Sequence, residues 1–277
     1  MANTVNAQWL HERLNNRDLV IADCRFALGQ PLAGKEAFDA GHLPGAVYFD
    51  LEADLSGPIG AHGGRHPLPN AEELAAKLRA AGIDGTQTVV AYDDQGGAMA
   101  SRFWWLLKYY GHDRVYVLDG GFSRWVGLGY GTTTDIVPSA GRAFEPRLRE
   151  GWLLHAEDVR QSLGRTDIQL VDSRDEKRYL GTEEPIDRIG GHIPGASHYF
   201  WKAAFTDEGL LKQPEELKEI FGGLDAGKEI IVYCGSGVTA CPNILALTEA
   251  GFTNVKLYGG SWSDWISYPD HPIATGA

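Results

Sequence analysis

The sequence predicts an α/β protein built from two copies of one domain, each a parallel sheet flanked by helices. Two observations carry that prediction. The first is an internal repeat of four landmarks in the same order. Val20-Ile21-Ala22-Asp23-Cys24-Arg25 is matched by Leu170-Val171-Asp172-Ser173-Arg174, an apolar run ending in Asp-x-Arg. Gly41-His42-Leu43-Pro44-Gly45-Ala46 recurs 150 residues on, from Gly191 to Ala196. Val89-Val90-Ala91-Tyr92-Asp93 recurs 141 residues on as Ile230-Ile231-Val232-Tyr233-Cys234. Leu118-Asp119-Gly120-Gly121, followed by Trp125, matches Leu257-Tyr258-Gly259-Gly260, followed by Trp265, an offset of 139 for the glycines. The second observation is alternation: short Val/Ile-rich runs, of the length and composition of strands buried on both faces, are separated by helical patterns.

Taken in order, the runs at 20–23, 89–92, 170–172 and 229–233 read as strands. Helices are expected at 71–81, 100–110, 156–163 and 214–221, and from Ile244 onward. The aromatic run Phe103-Trp104-Trp105 sits in the second of these, as part of a core or domain-interface helix. The stretch 138–150 has no periodic pattern and contains Pro, Gly and Arg, so it is expected to join the copies. The boundaries expected are a first domain at 1–138, a linker at 139–150 and a second domain at 151–277. Glycine, at 35 of 277 residues, exceeds the usual share of about 7%, so many tight turns are expected.

Composition narrows the function. The formal charge of −12 argues against nucleic-acid partners and against a polybasic membrane patch. No apolar run approaches the roughly 20 residues a membrane helix requires, and the first 14 residues lack a secretory pattern. Three cysteines are too few, and odd in number, for a disulfide framework. A cytoplasmic protein is expected. No His/Cys cluster has metal-ligand spacing and the glycine-rich turn is not a dinucleotide fingerprint, so neither metal nor cofactor is expected.

In a parallel α/β sheet, functional loops lie beyond the carboxyl ends of the strands. Cys234 holds such a position, followed by Gly235-Ser236-Gly237-Val238-Thr239-Ala240. A glycine-rich turn between strand and helix converges backbone N–H groups beside the positive end of a helix dipole, an environment that stabilises a thiolate and leaves its sulfur exposed. The first copy has Asp93 there, so it is expected to be inactive. Cys24 and Cys241 read as buried small hydrophobes. His42 and His192 look catalytic by type, yet their appearance in both copies favours a structural role, as it does for Arg25 and Arg174.

Asp-x-Arg, Gly-His-Ile-Pro-Gly-Ala, Cys-Gly-Ser-Gly-Val-Thr and the closing Gly-Ser-Trp-Ser-Asp-Trp together resemble the tandem rhodanese-domain sulfurtransferases. The loop from Cys234 to Ala240 is similar to that of the 3-mercaptopyruvate-using branch. The resemblance spans nearly the whole chain. It implies two rhodanese-like domains and a sulfur transfer in which Cys234 takes a sulfur atom from 3-mercaptopyruvate as a persulfide, releasing pyruvate. A thiol acceptor such as thioredoxin, or cyanide, then removes it. It also implies roles for further residues. Ser236 corresponds to a loop serine that relays a proton, and His66 to a histidine that contacts it. Glu52 stands where some members have aspartate. Arg178 matches a substrate-binding arginine, with Arg188 as a second candidate. Gly235, Gly237, Val238 and Thr239 line the donor through the loop backbone.

Three alternatives are weighed. Thiosulfate sulfurtransferase activity uses the same fold and persulfide, but in the family it goes with cations inside the loop, and residues 235–239 carry none. A Cys-x5-Arg phosphatase needs an arginine where this chain has Ala240, so that reading fails. A non-enzymatic sulfur-carrier or binding module remains open, with the intact Cys234 loop against it.

Overall fold

The computed structural model describes residues 2–139 and 141–277; Ala140, within the expected linker, and Met1 lie outside them. The chain forms two compact units. One comprises Met1–Gly57, Leu68–Arg149 and Asp207–Leu211, and the other Pro58–Pro67, Glu150–Thr206 and Lys212–Ala277.

The first unit contains the strands β1 (Thr4–Val5), β2 (Leu19–Asp23), β3 (Ala46–Tyr48), β4 (Thr88–Tyr92) and β5 (Val115–Leu118). They form one parallel sheet in the order β1-β5-β4-β2-β3. The helices are α1 (Ala7–His11), α2 (Ala33–Ala40), α3 (Ala71–Ala80), α4 (Ala98–Tyr109) and α5 (Gly121–Gly127). Asn70 opens α3 by accepting the backbone N–H groups of Glu72 and Glu73. All five residues of β4 are buried, which is why the run reads as continuously apolar.

The second unit repeats this plan. β6 (Leu153–Leu154), β7 (Ile168–Asp172), β8 (Ala196–His198), β9 (Glu229–Tyr233) and β10 (Val255–Tyr258) form a parallel sheet in the order β6-β10-β9-β7-β8. Its helices are α6 (Ala156–Ser162), α7 (Glu176–Leu180), α8 (Pro214–Ile220), α9 (Ala240–Glu249) and α10 (Ser261–Trp265), with a 3-10 turn at Trp201–Ala204. Pro214 at the start of α8 and the Gln213/Glu216 capping box set its first turn. Helix α9 begins at Ala240, four residues before the expected start at Ile244. Pro242 falls in its first turn, where its missing N–H breaks no helical hydrogen bond. The core of this unit is built around Val159, Ile193, Ile231, Tyr233, Trp262 and Trp265.

The repeated polar landmarks are structural braces. Arg25 forks onto Asp23, with Nη2 at 2.6 Å from Oδ2, and donates to the Gly41 carbonyl at 2.8 Å. Arg174 makes the same fork on Asp172 and reaches the Gly191 carbonyl. Both pairs are buried, where a bidentate charge-assisted geometry offsets desolvation. His42 donates through Nδ1 to the Phe38 carbonyl at 2.8 Å and His192 to that of Tyr179 at 2.9 Å, each ring stacked on the side chain it bonds behind.

Strand register refines the sequence repeat. Val5 pairs with Leu118 and Leu154 with Tyr258, so Gly121 corresponds to Ser261, an offset of 140 rather than 139. Both have φ 54°.

Candidate active site

Strand β9 delivers Cys234 to the carboxyl edge of the second sheet, one residue beyond Tyr233, which pairs with Asp172. Three hydrogen bonds fix the loop onto the start of α10. The Cys234 carbonyl accepts from Trp262 N–H at 3.0 Å and the Gly235 carbonyl from Ser263 N–H at 2.9 Å. The Cys234 N–H donates to Ser261 Oγ at 3.1 Å, and that hydroxyl donates to the Tyr258 carbonyl at 2.9 Å. Ser261 keeps the left-handed backbone held by glycine in the other unit, and its hydroxyl supplies the local bonds that support it.

The first unit displays what this loop type does. Asp93 follows Tyr92, which pairs with Asp23. Its Oδ1 accepts from Gln95 N–H at 2.8 Å and Gly97 N–H at 2.9 Å, and its Oδ2 from Met99 N–H at 2.7 Å and Ala100 N–H at 2.8 Å. Four N–H groups converge on the side chain at the strand end, an anion cradle occupied by the chain's own carboxylate. In the second unit the corresponding side chain is the Cys234 thiol.

Ser236 and His66 are brought together: Ser236 Oγ lies 2.8 Å from His66 Nδ1, and both residues are buried. His66 belongs to the Pro58–Pro67 segment, which is anchored on α10. Gly63 N–H donates to Asp264 Oδ1 at 2.7 Å, and Arg65 N–H to Ser263 Oγ at 3.1 Å. Gly64 has φ +80°, and a Cβ there would stand 2.4 Å from the Gly260 carbonyl oxygen, so glycine is required for this approach.

Arg178, on α7, is half-buried and held by two carboxylates. Its Nε donates to Glu184 at 2.8 and 2.9 Å, and its Nη2 to Asp187 Oδ2 at 2.8 Å. Arg65 donates to the other oxygen of Asp187. Both guanidinium groups lie against Gly235: a Cβ on that glycine would be 2.9 Å from Arg65 Nη2 and 3.3 Å from Arg178 Nη2. Burial lowers the Arg65 pKa from its ordinary value; Cys234 opposes that shift, and Arg178 adds to it. Arg188 is not among the side chains that a Cβ on Gly235 would meet. It donates to the Ile266 carbonyl and lines a cleft of about 360 Å3 with Arg65, Asp187, Ser263 and Ser267. Glu52 belongs to the first unit, exposed in the turn after β3, with its backbone N–H on Asp50 Oδ1 at 2.8 Å.

The expectation of an exposed sulfur is not met. Cys234 is 1% exposed, because Gly235, Ser236, Gly237 and Val238 are buried with it and the two guanidinium groups lie on Gly235. Thr239 is half-buried at the helix start. Cys24 and Cys241 are buried, and burial, with Asp23 and Asp93 nearby, pushes the Cys24 thiol up. Arg65, Glu184, Asp187 and Ser261 escaped the sequence reading. The only available signal for Arg65 was its place beside His66 in Gly63-Gly64-Arg65-His66. Among the described residues, no group of three His, Cys, Asp or Glu side chains could hold a metal ion.

The rhodanese-like domain model matches the chain twice, at residues 6–128 and 155–268. The chain belongs to the rhodanese family. A probable 3-mercaptopyruvate sulfurtransferase of Pseudomonas aeruginosa is 44% identical, with 99% of each chain covered. A putative thiosulfate sulfurtransferase, SseB, of Mycobacterium tuberculosis is 37% identical over 92% of this chain and 90% of its own. Among solved structures, SseA from Escherichia coli, described as a 3-mercaptopyruvate sulfotransferase with a rhodanese fold, superimposes with a TM-score of 0.84. It is 34% identical over 95% of this chain and 100% of its own. This rhodanese is accordingly a sulfurtransferase with tandem domains. No helix among its described residues is long and apolar enough to cross a membrane.

Proposed function

We propose that this rhodanese transfers sulfur from 3-mercaptopyruvate to a thiol acceptor through a persulfide on Cys234, in the cytoplasm. The observation that carries the reading is the guanidinium of Arg178 against Gly235, the residue next to Cys234. It offers a carboxylate-binding group beside the nucleophile.

In the first half-reaction an electron pair on the Cys234 thiolate forms a bond to the donor sulfur. The bond between that sulfur and C3 of the donor breaks, and its electrons pass to C3. The adjacent carbonyl makes the leaving carbanion the enolate of pyruvate, which takes up a proton. Ser236, bonded to His66, is the group that relays it. Backbone N–H groups of residues 235–239 stabilise the anionic sulfur, as the equivalent groups do for Asp93. In the second half-reaction an acceptor thiolate attacks the outer sulfur and regenerates the Cys234 thiolate. A dithiol acceptor such as thioredoxin then closes to a disulfide and releases hydrosulfide, and cyanide leaves as thiocyanate.

Thiosulfate is the second donor to weigh, favoured by the second guanidinium at Gly235 and by the relative named for that substrate. The deciding experiment compares kcat/KM for the two donors with a common acceptor. Mercaptopyruvate is expected to lead by about an order of magnitude, equivalent to roughly 1.4 kcal/mol. A preference for thiosulfate would replace the reading with the second.

A further inference from the structure

We infer that Arg65 is the second arm of the clamp that holds the donor's carboxylate, joined to Arg178 through Asp187. The inference rests on the functional reading above and names a binding residue for it. The two arginines reach one point from different elements, Arg178 from α7 and Arg65 from the Pro58–Pro67 segment. Asp187 divides its two oxygens between them, Oδ1 to Arg65 and Oδ2 to Arg178, and its side chain is 4% exposed. One carboxylate thus sets two guanidinium groups side by side above Gly235.

The donors left over define what they bind. Arg65 Nε is buried and has no hydrogen-bond partner. Arg65 Nη2 and Arg178 Nη1, which lie 2.9 Å and 3.5 Å from the Cβ position of Gly235, have no acceptor among the described residues. A buried N–H without an acceptor is costly, and two guanidinium groups this close repel unless anions lie between them. Asp187 is one such anion. A second, small and planar with two acceptor oxygens, satisfies Arg65 Nε and Nη2 as a fork and reaches Arg178 as well. The carboxylate of a 2-oxo acid has that chemistry, and its sulfur end then lies on the Cys234 side of Gly235. The lowered pKa of Arg65 from burial fits a group that lacks its anion.

The test separates the carboxylate from the rest of the donor. Persulfide formation on the full chain is measured by rapid quench with 3-mercaptopyruvate and with 1-mercaptopropan-2-one, which keeps the carbonyl and the sulfur but has no carboxylate. R65M is expected to raise KM for mercaptopyruvate by about tenfold or more, the scale of one charge-assisted contact. It should slow the reaction with the uncharged donor by a smaller factor, since only the contribution of its charge to the Cys234 thiolate is lost there. R65K, which keeps the charge without the fork, should fall between them and serves if R65M does not fold. Equal losses with both donors in R65M and R65K, or an unchanged KM for mercaptopyruvate, would overturn the assignment of Arg65. If the unmodified protein takes no sulfur from mercaptopyruvate, the functional reading falls and this inference with it.

Discussion

Asp93 and Cys234 occupy the same place in the two sheets, each one residue beyond a tyrosine paired with the aspartate of an Asp-x-Arg strand. In one case the strand-end side chain is a carboxylate that gathers four backbone N–H groups; in the other it is a thiol. One domain plan thus holds a cradle filled by its own carboxylate and, at the same strand end of the other sheet, a thiol. The filled cradle makes Asp93 a structural requirement of its own unit.

Asp93→Asn should therefore destabilise the first unit. The amide turns one NH2 group toward two backbone donors, and an unsatisfied buried N–H costs about 1–3 kcal/mol. Differential scanning calorimetry should show a lower melting transition, while persulfide yield on the Cys234 loop is retained. An unchanged transition would mean that the four bonds contribute little.

The His66–Ser236 contact predicts linked losses. Ser236→Ala and His66→Gln should each slow the mercaptopyruvate half-reaction by about a hundred-fold, the lower range for a positioned proton-transfer group. The double variant should be little worse than the worse single one, because the two act as a unit. Independent, multiplying losses in single-turnover kinetics would argue against a relay.

Arg178→Ala removes a charge-assisted contact of about 1.5–3 kcal/mol, so kcat/KM for mercaptopyruvate should fall by about ten- to a hundred-fold. Transfer from a preformed persulfide to the acceptor should change less. The variant also leaves Glu184, 6% exposed, with Arg174 as its remaining arginine, so some loss of thermal stability is expected. Equal loss in both half-reactions would assign Arg178 to the fold.

Gly235→Ala tests the crowding at the loop. The added Cβ meets Arg65 Nη2 at 2.9 Å, the far end of a flexible side chain that can shift. Stability should stay within about 0.5–1 kcal/mol of the unmodified protein. Activity on mercaptopyruvate should drop by about tenfold, because a guanidinium displaced by a fraction of an ångström loses its fork geometry. Full activity would show that neither arginine needs its present position.

Much of this was legible in the sequence because it is written in local patterns. The buried runs 89–92 of β4 and 230–233 of β9 have no charged residue, and the Asp-x-Arg and Gly-His-x-Pro-Gly-Ala braces recur because both sheets need them. The edge strands β1 and β6 are two residues each, too short to leave a periodic signal. Matching the glycine pairs misaligned the repeats by one residue, because Ser261 holds a left-handed backbone through its hydroxyl where Gly121 needs no side chain. Arg65 and Asp187 were hidden for a different reason. They lie 122 positions apart, and nothing near Arg65 marks the Pro58–Pro67 segment as part of the second unit. The sulfur's burial was missed because it depends on those same distant arginines.

The central claim is that Cys234 carries the transferred sulfur, and intact-mass spectrometry with peptide mapping tests it most directly. After incubation with 3-mercaptopyruvate, the protein should gain one sulfur atom, located on the peptide containing Cys234 and removed by added thiol. Cys24→Ser and Cys241→Ser should behave like the unmodified chain, since Cys24 belongs to the first unit, beside Asp23, and Cys241 lies in the first turn of α9 with its Sγ on the Gly237 carbonyl, and Cys234→Ser should gain nothing. Sulfur found on Cys24 or Cys241, or turnover surviving in Cys234→Ser, would contradict the account.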